Sequence, residues 1–185
     1  MDKRIRALFA ARDASDRDEA YQALVELFDL TEKPVKWSYD VWDKMVSDLS
    51  HKDGHKRSFA GQMLARLAIS DPEGRMLNDF PAIAAVMKDE RFVTARHVLE
   101  SLWRIALAGP DRAALVTDAL EARFRECTGE KNASLVRTDL ITAMRRLANA
   151  VGDDGVEAKA EALIESEPDD KARKKQRAAW RKAGA

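Results

Sequence analysis

At 185 residues the chain is long enough to build its own hydrophobic core without metal or disulfide staples. Its 32 Lys and Arg balance its 32 Asp and Glu, so no polyanion is held by the surface as a whole and any such partner must use a local patch. The single cysteine, Cys127, excludes an internal disulfide and points to a cytoplasmic chain, and no apolar run approaches the ~18 residues of a membrane span.

A composition 45% hydrophobic and 35% charged, sparse in aromatic residues, is that of helices, and no segment alternates with period two between turn signals. The amino-terminal stretch MDKRIRALFAARDASDRD is interrupted by charge every few residues, which predicts no signal peptide. Taken in chain order, the helices come in pairs. The first pair, approximately 1–30, has an outer helix carrying Ile5, Leu8 and Phe9 and an inner helix carrying Ala20, Ala23, Leu24, Leu27 and Phe28. The second, 37–69, follows the break at Pro34 and Ser38, with Trp42, Met45, Val46 and Leu49 outside and Ala60, Met63, Leu64, Leu67 and Ala68 inside. The third, 73–108, begins after Asp71 and Pro72, with Phe80, Ile83, Ala84 and Met87, then Val98, Ser101, Leu102, Ile105 and Ala106. The fourth, 110–150, follows Gly109 and Pro110, with Val116, Ala119, Leu120 and Phe124, then Leu140, Ala143, Met144, Leu147 and Ala148. A fifth, 153–183, has an acidic outer helix with Val156, Ala160, Leu163 and Ile164, a break at Pro168, and a basic final helix with Trp180. Breakers and capping residues stand between the segments, as helix ends require.

The pairs repeat. LVELF at 24–28, LARLA at 64–68, LWRIA at 102–106 and MRRLA at 144–148 lie 40, 38 and 42 residues apart, the period of helix-pair repeats. The stretches KDGHKRSFAGQMLARLA and MLNDFPAIAAVMKDERFVTARHVLESLWRIAL resemble HEAT repeats, with Asp53 in the turn between helices and Arg57 early in the second helix. Asp13 and Arg17 stand 40 residues earlier, and Arg137 and Arg173 fall in the same register later, whereas the third copy has Ala95 there and Arg96 one place on. The resemblance covers about residues 1–150 clearly and the rest faintly. It implies an all-α, right-handed α-α superhelix of about five antiparallel helix pairs, a single armadillo-like domain over 1–185. It also implies a ladder of turn Asp and helix Arg between neighbouring repeats, and a concave face of inner helices that binds proteins or nucleic acids. Some bacterial relatives with HEAT-like repeats are DNA glycosylases, but no residue here matches those sites and none is carried over.

Equivalent positions on successive inner helices lie side by side, so the residues outside the buried stripe form columns. One column runs Glu26, Arg66, Arg104 and Arg146, with Lys182 beyond; another runs Val25, Ala65, Trp103 and Arg145. These predict a partly basic strip with an aromatic centre, suited to an acidic peptide or a phosphate backbone, or else an ordinary solvated flank. Trp103 either wedges between helices or anchors a ligand. The last helix supplies Lys171, Arg173, Lys174, Lys175, Arg177, Arg181 and Lys182, a contact for an anionic partner or a counterweight to the acidic helix before it. His51 and His55 have no third ligand nearby in sequence, His97 and Asp139 share a register but lack a nucleophile, and Cys127 has no activating neighbour. The expectation is a non-catalytic scaffold or adaptor for another protein or peptide, without cofactor or metal. The alternative is a nucleic-acid binder, including a glycosylase-like repair enzyme, using the basic strip.

Overall fold

Aspartates start five of the helices. In the computed structural model, which describes residues 1–184, Asp2, Asp16, Asp53, Asp153 and Asp169 each accept hydrogen bonds from backbone N–H groups of the turn that follows. Such caps satisfy donors that a helix leaves unpaired at its start, each stabilising by about 1 kcal/mol. The helices are α1 (Lys3–Arg12), α2 (Arg17–Leu30), α3 (Ser38–Asp48), α4 (Gly54–Leu67), α5 (Arg75–Val86), α6 (Phe92–Leu99), α7 (Trp103–Ala106), α8 (Pro110–Glu126), α9 (Ala133–Val151), α10 (Asp154–Glu165) and α11 (Asp170–Ala183). The protein is all-α, with no strand among the described residues.

Two of the expected breaks work differently from simple capping. Ser38 opens α3, but its hydroxyl donates across to the carbonyl of Ser70 at 2.8 Å. Asp71 lies upstream of the Gly74 that starts α5, yet its two carboxylate oxygens accept from the N–H groups of Arg75 (2.9 Å) and Met76 (2.8 Å), and Tyr39 donates to it at 2.6 Å. These bonds tie the start of α3 to the α4–α5 connection.

The helices stack in two layers. In one, α4 packs on α6, α7 on α9, and α9 on α11; in the other, α3 packs on α5, α5 on α8, and α8 on α10. The apolar stripes face each other between the layers. Ala60, Met63, Leu64, Leu67 and Ala68 of the second inner helix are all buried, as are Leu140, Ala143, Met144, Leu147 and Ala148 of the fourth. Burying each large side chain contributes about 1.5–3 kcal/mol. The end pair is less covered: of its inner stripe, Ala23 and Leu27 are buried while Ala20, Leu24 and Phe28 are half-buried. It is held by Phe59 of α4, which meets Phe9 edge-on at 6.1 Å and stacks on Phe28 at 6.4 Å.

The third inner helix is broken. Where the periodicity predicts one continuous helix, a tight turn at Glu100–Leu102 separates α6 from α7. The Ser101 hydroxyl donates to the Val98 carbonyl at 2.8 Å, and the Ser101 and Leu102 N–H groups reach back only three residues. A serine that competes for the carbonyl of the preceding turn disturbs a helix in this way.

Arg57 and Arg137, both early in an inner helix, reach into the next pair. Arg57 grips Asp89 of the α5–α6 turn, and Arg137 bonds Glu167 of the α10–α11 turn at 2.9 Å. Asp53 takes no part; it caps α4 through His55 N–H. At the third copy, where Ala95 stands, the buried Arg123 of α8 donates to the Met87 carbonyl (3.3 Å) and bidentately to Glu130 (2.6 and 2.7 Å).

Candidate functional site

The spacings of 62 and 66 on α4, 97, 100, 101 and 104 on α6–α7, and 146 and 149 on α9 each put side chains on one helix face. Stacking of α4, α6, α7 and α9 turns the faces toward one another, and they border an open cleft of about 520 Å³. Arg66, Trp103, Arg104 and Arg146 all line it, together with Gln62, His97, Glu100 and Asn149.

Arg145 is placed elsewhere. Its guanidinium pairs with Glu157 of α10 and stacks over the Trp180 ring at 4.8 Å from the centroid, fastening α9 to the last pair. The strip Val25, Ala65, Trp103 and Arg145 is therefore not a continuous surface, because Ala65 is completely buried where α4 packs on its neighbours. Glu26 also lies outside the cleft, paired with Arg4 of α1.

Glu32, in the α2–α3 loop, has no counterpart in the repeat pattern and yet governs the charge of the cleft. Arg66 Nη1 donates to its Oε1 at 2.7 Å, while Arg104 spans both oxygens at 2.8 and 3.0 Å. The Arg104 hydrogen bonds, ahead of those from Arg66, hold the Glu32 carboxyl below the usual carboxylate range. Arg66 also donates to the Phe28 carbonyl (3.1 Å) and lies over the Phe28 ring (4.1 Å), so burial lowers its own proton affinity. Arg104 covers the half-buried Trp103 at 4.6 Å from the ring centroid. Trp103 thus packs against the core on one side and borders the cleft on the other. Arg146 makes a long hydrogen bond to the Glu100 carbonyl (3.4 Å) and has no carboxylate partner among the described residues.

His97 and Asp139 are not partnered. His97 Nδ1 lies 3.2 Å from the buried Ser58 Oγ, and Gln62 donates to the same hydroxyl. Asp139 pairs with Arg96 (2.7 Å), and burial raises its pKa. His51 Nδ1 accepts from Asp53 N–H, a local turn bond. Cys127 is buried with its thiol pKa raised by desolvation, donating to the Phe124 carbonyl.

On α11, Arg173 and Arg177 pair with Asp170 and Glu165. Lys171, Lys174, Lys175, Arg181 and Lys182 are exposed and have no acidic partner among the described residues. The opposite face docks through the fully buried Gln176, which donates to Glu167 at 2.9 Å. None of the described helices is long and apolar enough to cross a membrane. No protein-family model matches this chain, and no curated protein matches it.

Proposed function

We propose that the chain is a non-catalytic, cytoplasmic adaptor of HEAT-like construction, a right-handed superhelix of helix pairs that holds a segment of a partner protein in the cleft between α4, α6–α7 and α9. The two-layer stacking and the Arg57 and Arg137 links between pairs support the repeat reading. The observation that carries the functional reading is the cleft itself: an aromatic wall at Trp103, amides at Gln62 and Asn149, and two guanidiniums that share the carboxylate of Glu32. Binding hot spots combine aromatic and arginine side chains in this way. A nucleic-acid groove calls for a run of uncompensated cations, whereas of the three arginines lining the cleft Arg66 and Arg104 share Glu32 and Arg146 alone has no carboxylate partner among the described residues.

A second reading rests on the five unpaired cations of α11, which form one outward stripe suited to a phosphate backbone. Immobilised protein exposed to a lysate of its native host, with and without nuclease, separates the two. Capture of a discrete protein that survives nuclease is the expected result. Loss of all capture on nuclease treatment would replace the adaptor reading with the nucleic-acid one.

A further inference from the structure

The polar wall of the cleft is a carboxylate receptor occupied by the protein's own carboxylate. Arg104 presents a bidentate fork to Glu32, and Arg66 adds a third N–H. This is the geometry by which guanidinium recognises carboxylate. The two arginines are held by contacts that do not involve Glu32: Arg66 by the Phe28 carbonyl and ring, Arg104 by the Trp103 ring. They are also largely covered, their side chains 13% and 16% exposed, whereas that of Glu32 is 50% exposed on a loop whose next residues, Lys33 and Pro34, face solvent. The two guanidiniums are thus fixed by contacts of their own, and the carboxylate seated on them is half exposed.

Resting on the reading of the cleft as a partner site, we infer that an acidic segment of the partner protein docks there by placing a carboxylate on Arg66 and Arg104 in exchange for Glu32. Arg146, without a carboxylate of its own, offers a second contact across the cleft. Arg66, Arg104 and Arg146 are the cations that line the recess, so it accommodates one or two carboxylates of a peptide rather than a track of phosphates. Glu32 acts as a tethered competitor, and a short tether gives an effective concentration in the millimolar range. Removing it should therefore strengthen binding, not weaken it.

The probe is a short fluorescein-labelled peptide rich in glutamate, with the glutamine version as control, followed by fluorescence polarisation. Glu32→Gln should bind the acidic peptide about tenfold more tightly than the unaltered protein, a change of about 1.4 kcal/mol. Arg104→Gln should bind it at least about tenfold more weakly, equally about 1.4 kcal/mol, and the glutamine peptide should not bind. In the unaltered protein, the peptide should speed hydrogen exchange of the 31–36 loop as Glu32 is released, a readout that needs no variant. Equal affinity of Glu32→Gln and the unaltered protein, or an unchanged loop, would overturn the exchange mechanism. Binding of a labelled DNA duplex that the peptide cannot displace would overturn the choice of partner. A host protein captured through the cleft but indifferent to Glu32→Gln would end this inference and leave the adaptor reading standing, whereas capture indifferent to Arg146→Glu would end that reading itself.

Discussion

Arg57 and Asp89 are 32 residues apart in sequence and form a two-pronged ion pair, Nε to Oδ2 at 2.5 Å and Nη2 to Oδ1 at 2.8 Å, that joins the second helix pair to the third. Arg57 also donates to the carbonyls of His51 and Lys52, so one guanidinium locks its own turn and the next. Both side chains are nearly covered, 11% and 4% exposed.

Asp89→Asn keeps the shape but removes the charge, and it should cost on the order of 2 kcal/mol, the worth of hydrogen bonds to a charged group. Urea unfolding measures this directly. The same pair sets a pH dependence. The Arg57 hydrogen bond holds the Asp89 pKa below its unfolded value of about 3.9, so its contribution is complete above that pH and is lost as pH falls through the lower folded value. The stability gap between the unaltered protein and Asp89→Asn should be constant from neutral pH to about 5 and close below about pH 4. A gap that persists to the lowest pH would show that the charge of Asp89 is not what matters.

Gly61 tests the approach of α4 to α6. A Cβ built there would come 2.6 Å from Val98 Cγ2, and Val98 is fully buried. In an exposed helix, Gly→Ala stabilises by about 1 kcal/mol. Here Gly61→Ala should destabilise by about 1–3 kcal/mol through overpacking, and Val98→Ala in the same chain should recover part of that loss. Stabilisation by Gly61→Ala alone would mean that the two helices do not touch as described.

Leu102 stands at the break between α6 and α7 and is completely buried. Leu102→Ala should cost about 2–5 kcal/mol by leaving a cavity, measured by thermal or urea unfolding. A cost no larger than that of a surface substitution would place Leu102 outside the core.

The buried columns were readable in the sequence because a helical period of apolar residues, repeated about every 40 positions, has few alternative meanings. Met63, Leu64 and Leu67, and Met144 and Leu147 after them, lie in the core for that reason. The break at Ser101 was not readable, since Ser101 occupies an apolar-register position and only its hydroxyl bond to Val98 shows its effect. Arg66, Trp103, Arg104 and Arg146 could be grouped from register alone, but Arg145 could not be separated from them, because its direction is set by Glu157 and Trp180 of the following pair. Glu32 was missed because it sits in a loop outside the repeat and meets Arg104 across 72 residues of sequence. Arg123 was missed as well, although Asp89, Glu130 and Glu167, acids in the α5–α6, α8–α9 and α10–α11 turns, each take a largely covered arginine.

The claim that the cleft between α4, α6–α7 and α9 is the working face is tested most directly by host-protein capture with Arg146→Glu, a half-exposed residue whose replacement leaves the core intact. Its thermal unfolding should match that of the unaltered protein, since surface changes stay within about 0.5 kcal/mol. With the fold thus preserved, Arg146→Glu should lose the partner that the unaltered chain retains after nuclease treatment. Full retention of that partner by a stably folded Arg146→Glu protein would place the binding surface elsewhere, with the exposed cations of α11 the next surface to alter.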